Sequence, residues 1–158
     1  MAPEAKPPAL DPATLAPRVG SSYPAPFDRP CATRERRALG DPLGLTQFGV
    51  NLMTLPPGAW SSQRHWHRDE DEFVYVLEGE VMLVTDAGEQ RLAAGMAAGF
   101  PAGKPDGHHL INRSDRPARV IEVGTRTARS HAEYADIDMK VEMRDGRDRY
   151  TRKSGEPY

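Results

Sequence analysis

Four side chains have types and spacings that could do chemistry: His65, His67, Glu72 and His108. His65 and His67 are two residues apart, which in a β-strand sends both side chains to one face, roughly 6–7 Å apart along the chain. Two imidazoles placed so can converge on one metal ion. Glu72 follows the acidic turn Arg68-Asp69-Glu70-Asp71 and opens an apolar run, and His108 opens a later one. Three imidazoles and a carboxylate suit one first-row divalent cation and leave positions open for water or substrate. A lone histidine is usually an ordinary surface residue. Here four of the five histidines, His65, His67, His108 and His109, fall in two clusters inside a β-rich region. The same ligands serve Fe, Mn, Ni, Zn or Cu, so the donor set leaves the metal's identity open.

The elements that must position these groups read as short strands. From Gly44 to about Gly124, β-rich runs alternate with Gly, Pro and Asp at spacings near ten residues, the signature of an all-β sandwich or barrel. The expected strands are Leu45 to Leu55, Trp60 to His67, Glu72 to Leu77, Glu80 to Thr85, Gln90 to Leu92, Met96 to Phe100, His108 to Asn112 and Ala118 to Val123. Glu78-Gly79 and Asp86-Ala87-Gly88 read as turns. With Glu72 inward, Val74 and Val76 line the interior, while Phe73, Tyr75 and Leu77 face out. No long amphipathic helix and no internal repeat is evident. Beyond Thr125, Ile137, Met139, Val141 and Met143 alternate with polar residues before Asp145-Gly146, a hairpin signal with its return arm near Arg149 to Arg152.

Eight of the 15 prolines fall in residues 1–30, which predicts a flexible arm over residues 1–22. Residues 23–43 read as an N-terminal extension packing on the barrel or on a partner, 44–125 as the barrel, and 126–158 as a C-terminal extension. Arg34, Arg36 and Arg37 form a small basic cluster that reads as a solvated face. With 21 Lys plus Arg against 23 Asp plus Glu, the net charge of -2 argues against electrostatic capture of nucleic acid or an anionic membrane. The longest apolar run, Phe73 to Leu77, is too short to span a bilayer. The N-terminus lacks the basic start and apolar stretch of a secretory signal, so the expected location is cytoplasmic. The single cysteine, Cys31, permits no intrachain disulfide, and nothing in its sequence surroundings marks it as a nucleophile.

The stretch from Gly58 to Gly79 reads G-x6-H-x-H-x4-E-x6-G, and that from Gly95 to Asn112 reads G-x5-P-x-G-x4-H-x3-N. These resemble the two motifs of the cupin superfamily. The first is one residue longer than usual between Gly58 and His65, and the second two longer between Gly103 and His108; loops absorb such insertions. The resemblance covers roughly residues 44–124. It implies a double-stranded β-helix, the jelly-roll barrel, with His65, His67, Glu72 and His108 as metal ligands. Glu72 takes precedence over Asp69, Glu70 and Asp71 because it precedes the strand by the family's spacing.

The same resemblance leaves the reaction open, because the family spans dioxygenases, isomerases, epimerases, decarboxylases, sugar-binding regulators and storage proteins. The expected function is metal-dependent chemistry on a small anionic or sugar-like metabolite, of isomerase, epimerase or dioxygenase type. The alternative is a non-catalytic sensor or binding protein with a structural metal. Glu72 and Gln63 are the candidate catalytic residues, Gln63 because it lies two before His65 on the same expected face. Asn51, Met53 and Lys104 are further candidates to line the pocket. His109 and Trp66 should point away from the metal. Trp66, Phe73 and Tyr75 on outward faces call for cover, and a homodimer is expected.

Overall fold

The structure, a computed structural model, describes residues 8–158. Thirteen strands follow in chain order: β1 (Arg18–Val19), β2 (Glu35–Ala38), β3 (Phe48–Leu55), β4 (His65–His67), β5 (Glu72–Glu78), β6 (Glu80–Thr85), β7 (Gly88–Ala93), β8 (Ala97–Phe100), β9 (His109–Ile111), β10 (Ala118–Thr125), β11 (His131–Tyr134), β12 (Lys140–Arg144) and β13 (Arg147–Thr151). Among the described residues the helices are short 3-10 turns, and no helix is long and apolar enough to cross a membrane.

One layer is an antiparallel sheet in the order β1-β2-β3-β10-β5-β8. The other joins two smaller sheets, β7-β6-β9 and β13-β12-β11-β4, through a backbone bridge between His65 and His108. The result is an all-β jelly roll. Its core takes Met53, Leu55, Val74, Val76 and Val120 from the first layer and Val81, Leu83, Leu92 and Leu110 from the second. Alternation along β5 is as the sequence predicts: Val74 and Val76 are buried, while Phe73, Tyr75 and Leu77 stay 44%, 39% and 42% exposed.

The β5–β6 turn requires glycine. Gly79 has φ 74°, and a Cβ there would stand 2.8 Å from the Pro117 carbonyl oxygen. Asp145 and Gly146, with φ 53° and 72°, close the β12–β13 hairpin as the paired positive φ of a tight turn demands.

Three expectations change. The expected flexible arm falls partly on residues 1–7, which lie outside the described residues. From Asp11 onward the chain is folded: Asp11 caps a 3-10 turn at Pro12–Thr14, and β1 pairs with β2. The strand expected from Trp60 reduces to His65–His67, because residues 61–64 bend; Trp60 keeps only an isolated bridge to Ile111. The basic cluster is not a solvated face. Arg34 is 5% exposed and donates to the Gly20 and Ser61 carbonyls, and Arg36 faces inward against Glu122.

The terminal segments fasten onto the histidine strand. β11 pairs with β4, setting Tyr134 opposite His65 and Ala132 opposite His67. From the N-terminal side, the Phe27 carbonyl accepts from the Gln63 amide and the Tyr23 hydroxyl accepts from the Gln63 backbone N–H.

Candidate metal centre

β4 is three residues long and presents His65 and His67 on one face, as period-two geometry requires. Their Nε2 atoms approach to 3.2 Å. Glu72, the first residue of β5, brings Oε1 to 3.3 Å from His67 Nε2 and Oε2 to 3.7 Å from His65 Nε2. Donor atoms of His65, His67 and Glu72 all lie within 4.8 Å of one another. Two ligands bound at about 2.1 Å and separated by 90–109° stand about 3.0–3.4 Å apart, so this cluster has the spacing of a coordination shell.

The protonation pattern fits the same use. His65 Nδ1 donates to the Gln63 carbonyl at 2.8 Å, which leaves Nε2 as a bare lone pair facing the cluster. His67 Nδ1 is buried with no hydrogen-bond partner, 3.4 Å from Glu70 Oε2, and Nε2 points at Glu72. Burial pushes the His65 imidazole down to about 3, against the pull of Glu72, so it stays neutral. Burial works to raise the Glu72 carboxyl, but hydrogen bonds from His108 and His67 outweigh it and hold it well below the usual carboxylate range. Burial also lowers His67, but the hydrogen bond and charge of Glu72, joined by Glu70, raise it overall. Neutral imidazole nitrogens beside an ionised carboxylate form a donor set that can hold a divalent cation.

His108 joins the cluster through Glu72, with Nε2 2.6 Å from Oε2. Phe100 stacks flat on its ring, with centroids 3.6 Å apart and planes 3° from parallel. Phe100 is a positioning residue that the sequence did not single out. Among the acidic neighbours, Glu70 is held by Thr127 and Ser130 and Asp71 accepts from the Ala102 N–H. These contacts make Glu70 and Asp71 loop fasteners.

Two cavities meet at this cluster. One, of about 280 Å³, runs past His65, Glu72 and His108 to Asn51, Arg36 and Glu122. The other, of about 290 Å³, opens past His67 and Phe100 to Lys104. Gln63, expected on the face of His65, lines neither and turns its amide to Phe27. β4 begins only at His65, so the bend at residues 61–64 breaks the alternation. Met53 is wholly buried in the core. His109 is buried, its Nδ1 bonded to the Ser62 carbonyl and its ring set edge-on to Trp60. Asn112, the last residue of the second motif, is a clamp: its amide donates to the Leu55 and Arg116 carbonyls, and Oδ1 accepts from Ser114.

A two-layer jelly roll with a His-x-His strand facing a glutamate defines a class, and comparison with known proteins agrees. A family model described as a cupin domain matches residues 51–124. A crystal structure from Silicibacter pomeroyi, described as a sugar phosphate isomerase from the cupin superfamily, is 47% identical, covers 96% of both chains and has a TM-score of 0.92. The chain belongs to the cupin superfamily. A candidate sugar phosphate isomerase from Acidithiobacillus ferrooxidans is 27% identical over 78% of both chains, with a TM-score of 0.72. The tetracenomycin polyketide synthase protein TcmJ of Streptomyces glaucescens is 27% identical over 104 residues, 66% of this chain and 68% of that one.

Proposed function

We propose that this protein is a metal-dependent enzyme of the isomerase type. Its substrate is a small hydroxycarbonyl metabolite bound at His65, His67, Glu72 and His108. The observation that carries the reading is the convergence of the His65 and His67 Nε2 atoms and the Glu72 carboxylate at the meeting of two cavities. The name borne by the 47% identical relative supports the reaction type. A divalent metal, when bound, supplies Lewis-acid polarisation of a carbonyl or hydroxyl oxygen.

Glu72 faces His67 with one oxygen and His108 with the other. His65, His67, Glu72 and His108 would hold the cation, and the ionised Glu72 carboxylate would take a proton from one carbon of the substrate and return it to the next. Aldose–ketose interconversion moves hydrogen within one molecule and is redox-neutral, so this chain of steps closes without a further reactant. Val74, Phe100 and Leu110 give the cavity an apolar lining that limits water at the reacting carbons. The apolar outer face of β5, with Phe73, Tyr75 and Leu77 exposed, fits a homodimer.

A dioxygenase-type reading has one observation of its own: two histidines and a carboxylate are also the donor set of non-haem iron oxygenases. The test is incubation of the metal-loaded chain with aldoses and ketoses in D2O under anaerobic conditions, followed by mass spectrometry. Incorporation of deuterium at carbon, lost by about a hundredfold or more in Glu72→Gln, is the expected result. Oxygen-dependent consumption alone would support the dioxygenase reading. Ligand binding without turnover would place the protein among sensors.

A further inference from the structure

The same cavity has a charged wall on the sheet that carries Val74 and Phe100. Arg36 on β2 and Glu122 on β10 face inward across Asn51 on β3, since Ala38 lies opposite Asn51, Arg36 opposite Met53, and Glu122 opposite Asn51. Arg36 Nε is 2.7 Å from Glu122 Oε2, and Nη2 donates to Oε1 at 3.0 Å. Nη1 has no partner among the described residues. The two side chains keep 30% and 21% of their surface, and both line the cavity that holds His65 and Glu72. Burial works against the Arg36 charge, but Glu122 outweighs it and holds the guanidinium above its usual value. This inward ion pair is left partly open on the cavity, in a barrel core otherwise packed with valine and leucine, where a ligand can reach it.

We propose that Arg36, Glu122 and Asn51 form a hydroxyl-recognising subsite for the end of the substrate remote from the histidine cluster. The proposal rests on the reading above, in which the other end of the ligand binds at the histidines. The chemistry selects a hydroxyl over a phosphate. The pair is close to neutral overall, so a phosphate dianion would face the Glu122 carboxylate with no surplus positive charge at this end of the site. A hydroxyl accepts from Nη1 and donates to a free lone pair of Glu122 or to the Asn51 carbonyl oxygen. Glu122 stands opposite Val74, two residues along from Glu72 and one strand over, so the two ends of the site are set roughly 8 Å apart at the backbone, a span suited to a chain of about five carbons.

The test compares D-ribonate with 2-hydroxypentanoate on the Co(II)-loaded full chain, read by the visible spectrum of the metal. Both offer the same 2-hydroxycarboxylate to the metal and differ only in the remote hydroxyls. The expected result is at least about tenfold tighter binding of D-ribonate, the worth of one or more hydrogen bonds to a charged group. Arg36→Met combined with Glu122→Leu removes the pair without leaving one charge buried, and Asn51→Leu is an independent variant should the first fail to fold. Either should erase most of the ribonate advantage while 2-hydroxypentanoate binding and cobalt content hold. Equal binding of the two ligands by the wild type, or an advantage that survives both variants, overturns the subsite. D-ribonate 5-phosphate binding more tightly than D-ribonate, with that gain lost in the double variant, overturns it in favour of a phosphate anchor. If neither ligand shifts the cobalt spectrum, the metal-centred reading beneath the subsite fails, a result distinct from the others.

Discussion

Asn112 separates scaffold from chemistry in the second motif, and Asn112→Leu tests that separation. Asn112 has no exposed surface, and its amide makes four hydrogen bonds of 2.7–2.9 Å, two donated and two accepted. Leucine keeps the volume and loses all four. At about 1 kcal/mol net for each bond, with Ser114 near enough to the surface to recover water contacts, the loss comes to about 3 kcal/mol. For a domain of 158 residues that lowers the melting temperature by roughly 6–12 °C. Urea unfolding of the metal-free protein reads the change as a lower midpoint at constant slope. Ser114→Ala, which loses only part of the same network, should cost about 1 kcal/mol. Metal content at saturating cation should stay near that of the wild type, because Asn112 touches none of the four ligands. A loss under about 0.5 kcal/mol would refute the clamp; a selective loss of metal at unchanged stability would mean that Asn112 belongs to the site.

Acid should release the metal. Although burial opposes it, Glu72 and Glu70 hold His67 above the ordinary imidazole value, so a proton competes with the cation there; affinity measured by titration calorimetry should be full above that raised value and fall about tenfold per pH unit below it. A flat profile from pH 8 to 5 would contradict this. Light scattering at micromolar concentration should give the mass of a dimer, and Phe73→Glu with Tyr75→Glu should halve it; a monomer at every concentration removes the dimer. Cys31, wholly buried and with its thiol pushed up by burial, should react with a thiol reagent only on unfolding; rapid labelling of the native chain would show that its segment opens.

What the sequence made legible follows from local rules. The two-residue spacing of His65 and His67, the inward step from Glu72 to Val74 and Val76, and the Asp145-Gly146 turn each depend on neighbours a few residues away. What it hid depends on distant pairing. Arg36 sits in an Arg-Glu-Arg-Arg run that reads as solvated, and only the pairing of β2 with β3 aims it at Glu122, 86 residues along the chain. Strand alternation separates Arg34 and Arg36 from Glu35 and Arg37, which was the one available signal. Gln63 shows a different limit: the two-residue rule does not carry through residues 61–64, where the backbone bends and the side chain is drawn to Phe27. Phe100 became visible only when β8 brought its ring against His108.

The central claim is that the His65–His67–Glu72 group, with His108, holds one divalent metal. Elemental analysis of protein purified without a metal-affinity column tests it most directly, run on the wild type, His65→Ala and His108→Ala. Close to one equivalent of a single first-row metal is expected in the wild type, with most of it lost in both variants. Substoichiometric metal that neither substitution changes would contradict it.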